Sequence, residues 1–213
     1  LESNPSVGGV CGQIVINEVP CMSMVVCSQH FELKADAVLT KTMETVFGFV
    51  SEMPYSFCAW RFEALEGIPL NKYFFLETFA NKGSMTPFVG NMYLAENRIM
   101  GFEVFARHDC DYVLHYVAGA CAKKAAPMHI GPLLESRQHY MNGAFFATLY
   151  VVENFYRVWT ESAHPMGRKI VLIIYLIYSI SYLIWMTLLV GNTIVALAML
   201  LNATMPAFAG IYK

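Results

Sequence analysis

Apolar and small residues alternate over residues 10–16 and predict a strand near the start of the chain. From about residue 22 to 50 the apolar positions return at helical spacing. Phe31, Val38 and Leu39 are expected on one buried face, with Lys34, Asp36 and Lys41 outside it. Glu52-Met53-Pro54-Tyr55 breaks that period, and residues 56–61 read as a short strand. Residues 66–86 carry Gly67, Pro69, Asn71, Gly83 and Ser84, a composition that predicts an irregular loop near a site. Helical spacing resumes over 94–106, strand character over 112–117, a loop with Pro127 over 123–131, and helix over 133–159 with a break at Asn142-Gly143.

Beyond residue 169 the pattern changes in kind. Thirteen of the fourteen Lys and Arg lie at or before Lys169, all sixteen acids precede Arg168, and residues 170–212 hold no charge. Such a stretch exceeds the roughly 20 apolar residues a membrane helix needs, so it predicts two crossings or one long tilted helix with a re-entrant tail. The segment before it, residues 141–159, is rich in aromatics but keeps Glu153 and Arg157, which suits an amphipathic helix lying in the membrane interface. Arg168 and Lys169 at the entrance favour a cytosolic N-terminal side. Three parts follow: an α/β portion over 1–140, an interfacial helix and linker over 141–168, and a transmembrane region over 169–213.

The net charge of −2 and the lack of any Lys/Arg run argue against a nucleic-acid partner. None of the six cysteines forms a C-x-x-C pair, so no zinc site is expected and the thiols read as reduced, as in a cytosolic domain. The opening Leu1-Glu2-Ser3-Asn4-Pro5 reads as mid-domain sequence, hence a fragment of a longer protein.

Several stretches in register carry a family resemblance. Gly9-Val10-Cys11-Gly12-Gln13-Ile14 resembles G-A-C-G-E-I. Gln29-His30-Phe31-Glu32-Leu33-Lys34 and Glu44-Thr45-Val46-Phe47-Gly48 resemble Q-N-F-E-Y-K and E-S-V-F-G. Met53-Pro54-Tyr55-Ser56-Phe57-Cys58-Ala59-Trp60-Arg61 resembles L-P-G-A-F-S-A-Y-R. Asn91-Met92-Tyr93-Leu94-Ala95-Glu96-Asn97-Arg98-Ile99 resembles N-M-Y-L-A-E-D-R-I. Asn142-Gly143-Ala144-Phe145-Phe146-Ala147 resembles N-G-S-F-F-A, and residues 164–169 fit H-S-F-x-R-K. The chain resembles chitin synthases, processive family-2 glycosyltransferases, from residue 8 to about 170.

That resemblance implies the C-terminal portion of an inverting GT-A domain, followed by an interfacial helix and one or more transmembrane helices. The implied reaction moves N-acetylglucosamine from UDP-GlcNAc to the non-reducing end of a growing β-1,4 chain, with export across the plasma membrane by a multi-pass protein whose catalytic part is cytosolic. The implied cofactor is a divalent cation, Mg or Mn, with its ligands upstream of this chain. The implied partners are the donor, the chitin chain, membrane lipid, and a second copy or a paralogous synthase.

The family's base is the Asp of E-D-R, and here that position is Asn97, with Glu96 retained before it. An amide orients a hydroxyl but does not take its proton. Arg98 is carried over as substrate-binding. Spacing puts the family's Q-R-R-R-W, which contacts donor diphosphate and acceptor, on Ser136-Arg137-Gln138-His139-Tyr140, with only Arg137 kept and Tyr140 in the place of the stacking Trp. Its T-D-x-P falls on Lys124-Ala125-Ala126-Pro127, and Phe57 and Cys58 fall where the family lines the acceptor pocket. Two readings stay open. One is an active enzyme whose base has moved, with Glu96, Asp109, Asp111 and Glu135 as candidates. The other is a pseudoenzyme that assembles with an active synthase. Either requires residues 94–98 and 136–140 to share one cleft.

Overall fold

The computed structural model describes residues 1–17, 23–54, 56–82, 90–92 and 94–209. Met22, Tyr55, Tyr93 and residues 83–86, which figure in the sequence reading, lie outside that set. Residues 1–172 form one compact unit and 173–213 a second.

The first unit is built on a three-stranded sheet of order β2-β1-β3. Strand β1 (Val7–Ile16) pairs antiparallel with β2 (Cys58–Trp60), Cys11 facing Cys58 and Gly9 facing Trp60. It pairs parallel with β3 (Val113–Lys124) from Val7↔Val113 to Ile16↔Lys124. A parallel pair demands a long crossover, and the intervening chain supplies it as helices. These are α1 (Met24–Ala35), a π-helical segment (Asp36–Lys41), α2 (Thr42–Phe47), α3 (Phe62–Leu65), α4 (Ile68–Lys82) and α5 (Glu96–Phe105). Beyond β3 come α6 (Ile130–Thr160) and α7 (Met166–Ala209).

Helix α5 is the centre of the core. Ile99, Phe102, Val104 and Phe105 are buried beside Leu114 of β3. The Phe105 ring meets Phe49 edge-on at 5.1 Å and stacks on the His164 imidazole at 4.2 Å. Apolar residues on every side of α5 remove any single polar face, as befits a helix enclosed all round.

Four expectations are corrected. Residues 68–82 are helical, not a loop; Pro69 sits in the first turn of α4, where a missing N–H breaks no helical bond. The helix over 130–160 is continuous through Asn142-Gly143, so the expected boundary at residue 140 falls inside it. Strand β3 runs on to Lys124, because its edge pairs with β1 as far as Ile16. The face expected to be buried before residue 50 is the outer one: Phe31, Val38 and Leu39 are exposed, while Gln29, Ala37, Lys41 and Glu44 point inward.

That inversion has a physical cause, since the inward polar groups are used. Gln29 donates to the carbonyls of Val25 and Pro127 at 2.9 and 3.0 Å. Glu44 accepts the Ser51 N–H at 3.1 Å. Lys41 pairs with Asp36 at 3.5 Å. No buried side-chain N or O among the described residues lacks a partner.

Candidate functional site

The recurring motifs act first as packing devices. A Cβ on Gly9 would lie 2.6 Å from the Trp60 ring, and one on Gly12 would lie 2.5 Å from the Ala120 carbonyl and closer still to Phe57. Glycines here let the Phe57 and Trp60 rings close over β1. The E-T-V-F-G stretch hooks α2 to β3: Thr45 Oγ1 accepts the Tyr116 N–H at 3.0 Å, and the Gly48 carbonyl accepts the Leu114 N–H at 2.9 Å. Gly48 terminates α2 in the left-handed region at φ 79°, a conformation that L side chains avoid.

The H-x-x-x-R-K stretch ties helix ends together. His164 is buried, and its Nε2 lies 3.0 Å from the Phe105 carbonyl at the end of α5. With Nε2 donating there, Nδ1 is left to accept from Arg168 at 3.2 Å. Burial pushes the imidazole below its ordinary titration range, the Phe105 carbonyl opposes that, and Arg168 adds to it. Lys169, expected at a membrane entrance, is buried and donates to the Trp159 and Ser162 carbonyls at 3.0 and 2.8 Å, capping α6.

A buried ionic cluster escaped the sequence reading. Glu103 of α5, with a side chain 0% exposed, accepts from Arg157 of α6 at 2.9 and 3.0 Å and from Lys72 of α4 at 2.8 Å. Tyr150 also donates to it. Burial alone would raise the Glu103 carboxyl, but hydrogen bonds from Lys72 and Tyr150 and the charges of Lys72 and Arg157 outweigh it, and the net shift is downward. Arg157, assigned from sequence to an interfacial face, holds α6 to α5 instead. The signal available was its spacing from Tyr150, seven residues or about two turns along one face of a helix.

Gly143 explains how α6 reaches the start of α5. A Cβ there would lie 3.1 Å from the Leu94 carbonyl oxygen, a tight contact, so the glycine lets α6 lie close against the backbone just before Glu96. That contact carries Tyr140, one turn earlier, onto Arg98. The Arg98 guanidinium stands 5.1 Å from the Tyr140 ring centroid and Arg137 stands 6.0 Å from it, both within cation–π reach.

Both anchors converge on Glu52. Arg98 Nη2 lies 2.7 Å from Glu52 Oε2, and the Tyr140 hydroxyl donates to the same oxygen at 2.5 Å. Although 45% of Tyr140 is open to solvent, the phenol is pushed well above its usual range, first by desolvation and then by the Glu52 charge, with Arg98 opposing. It therefore stays a donor. Arg137 forms a two-pronged pair with Glu32 of α1, and Gln29 of the same helix binds Pro127. The 29–34, 124–127 and 136–140 stretches thus meet.

The other expected site residues distribute unevenly. Asn97 is half-buried in the first turn of α5. Glu96, which opens that helix, is buried. Ser136, Gln138 and His139 lie on the exposed side of α6. Phe57 covers Gly12, and Cys58 is the β2 partner of Cys11; burial raises both thiols, Cys11 to about 11. Glu52 was not singled out as a site residue, for it falls in what reads as a turn. No three His, Cys, Asp or Glu side chains gather to hold a metal among the described residues.

A model of the chitin synthase-like glycosyltransferase domain matches residues 1–155. The chain belongs to that family. It is 39% identical over 200 residues to chitin synthase 1 of Phytophthora sojae, covering 92% of this chain and 22% of that protein. It is 41% identical over 179 residues to chitin synthase 1 of Saccharomyces cerevisiae, covering 82% of this chain and 16% of that protein. With chitin synthase 2 of Mycosarcoma maydis it shares 37% over 209 residues, 96% of this chain and 19% of that protein. The chain therefore spans about a fifth of the length of these curated relatives.

Proposed function

We propose that this chain is the acceptor-side portion of a chitin synthase, taking UDP-GlcNAc as donor and a β-1,4 chain as acceptor, with inversion at the anomeric carbon. The gathering of Arg98 and Tyr140 on Glu52 carries the reading. An aromatic face suits the C–H face of a pyranose, and a guanidinium offers a fixed fork of donors to an acceptor hydroxyl or a diphosphate oxygen. The family's divalent cation, Mg or Mn, is assigned to residues outside this chain.

Helix α7 is the proposed membrane crossing. Its apolar run Met166–Asn202 covers 37 residues, or about 55 Å at 1.5 Å per residue, against a hydrocarbon core of about 30 Å. Tilt and protrusion together accommodate the excess. The catalytic portion would then lie on the cytosolic side of the plasma membrane, the polymer leaving through the bilayer. The deciding experiment is incorporation of labelled sugar from UDP-GlcNAc into alkali-insoluble polymer by the full-length protein in membranes. Absence of polymer refutes an active synthase.

Asn97 supports a second reading, a family member without activity that works as the partner of an active paralogue. Copurification with such a paralogue, together with no polymer from the isolated protein, would establish it; a solitary active protein would exclude it.

A further inference from the structure

The family's acceptor-side chemistry needs a carboxylate, and Asn97 does not supply one. We propose that Glu52 is the general base of this chain, standing in from a different element for the missing carboxylate at position 97. This rests on the reading of the chain as an active sugar transferase.

The other candidate carboxylates are differently placed. Glu96 is buried at the start of α5. Glu103 is enclosed by Lys72, Tyr150 and Arg157. Glu32 is held by both oxygens on Arg137. Asp36 is paired with Lys41. Asp109 sits in an exposed turn beside His108 at 3.0 Å. Asp111 and Glu135 are exposed, Glu135 on the outer side of α6, and neither is placed with Arg98 and Tyr140.

Glu52 differs from all of these. Its side chain is 30% exposed, so a substrate hydroxyl can reach it. Its Oε2 takes both donors, from Arg98 of α5 and Tyr140 of α6. Its Oε1 has no hydrogen-bond partner among the described residues. Two donors on one oxygen fix the carboxylate plane and present the other oxygen. The same two donors belong to the positions that the family uses for substrate. A base fixed by them is therefore tied to the place where the acceptor sugar would stack. Asp36 on the π-helical segment is the further charged group that acts on this carboxylate's surroundings.

The step balances as a single displacement. The acceptor hydroxyl oxygen forms a bond to the anomeric carbon of the donor sugar as the bond from that carbon to the diphosphate oxygen breaks. The electron pair leaves with UDP. The hydroxyl proton passes to Glu52 Oε1 and then to water.

The test uses the full-length protein in membranes, with labelled UDP-GlcNAc and a chitin oligosaccharide acceptor. Glu52→Gln keeps the shape and should lower kcat by about 10²–10⁴, with donor KM within about threefold. Adding Asn97→Asp to Glu52→Gln should restore at least tenfold, because it returns a carboxylate to the family's position. Tyr140→Phe removes one donor from Oε2 and should move the acid limb of the kcat–pH profile to higher pH, a readout that survives if Glu52→Gln fails to fold. Activity of Glu52→Gln near the parent's overturns the proposal. So does a loss confined to KM that Asn97→Asp leaves unrepaired, or an unmoved acid limb in Tyr140→Phe. A parent protein that makes no polymer overturns the transferase reading itself, and this proposal with it.

Discussion

Replacing Glu103 by Gln probes whether the buried cluster holds α4, α5 and α6 together. The amide keeps the size of the side chain but removes the charge that faces Arg157 at 2.9 and 3.0 Å. Breaking one partner of a buried pair typically costs about 3–5 kcal/mol, because the other charge is left buried. Here Arg157 retains Glu161 at 3.2 Å, and Lys72, with a side chain 38% exposed, turns to water. Those outlets place the expected cost at the lower end, about 3 kcal/mol. For a chain of this size that corresponds to a fall in Tm of roughly 6–12 °C. Lys72→Met should cost less, about 1–2 kcal/mol, since solvent reaches Lys72 and Arg157 still faces the buried Glu103 carboxylate.

Thermal unfolding of the purified protein in detergent micelles, followed by near-ultraviolet circular dichroism, reads both. The double variant Glu103→Leu/Arg157→Met removes the charges in pairs and should recover much of the loss, as apolar replacement of buried ion pairs often does. Equal costs for Glu103→Gln and Lys72→Met, or a double variant as unstable as the sum of its singles, would refute the assignment of α6 docking to this pair.

Three further outcomes follow from the same geometry. Gly143→Val should lower Tm by the equivalent of about 1–3 kcal/mol and cut polymer synthesis further than its stability loss explains, since the Leu94 carbonyl sits 3.1 Å from the new Cβ; kcat at a temperature where the variant stays folded checks it. Lys169→Met should destabilise by about 1–3 kcal/mol, because the Trp159 and Ser162 carbonyls lose a charged donor, measured by the same melt. His164 is held below its usual range by burial, so the unfolded chain takes up its proton first as pH falls. Stability should be full above about pH 6.5 and decline below it until the folded-state imidazole also titrates; His164→Asn should flatten that slope.

The strands and the core helix were legible because their residues have only one use. Val104, Phe105 and Leu114 are apolar, and burial is the one favourable place for them. The α1–α2 region was misread for the converse reason. Its inward side chains are Gln29, Lys41 and Glu44, and periodicity assigns such residues outward. What holds them in is a set of partners contributed by Pro127, Asp36 and Ser51, of which Pro127 lies nearly a hundred residues away in sequence. Local pattern carries no record of a partner that distant. The same holds for Arg157, which reads as the polar face of an amphipathic helix until Glu103 is found beneath it.

Within the proposed site, the sequence points to Arg98 and Tyr140 but not to the carboxylate on which they meet. Arg98 and Tyr140 are singled out by register with the family, and Gly143 permits the close approach of α6 that goes with their contact. A motif read alone, however, treats a substituted base as a lost function. Asn97 stands where the resemblance implies a carboxylate on α5, while the turn after α2 places Glu52 against the neighbouring residue of that helix. Catalysis by proton transfer depends on where a basic oxygen sits relative to the acceptor hydroxyl, not on which element carries it. A side chain reaching in from another segment satisfies the same requirement if its free oxygen is fixed, and two donors on Oε2 fix it. Loss at one motif position and gain at a non-motif position are thus to be weighed as a pair, and the double substitution at 52 and 97 measures that pair directly.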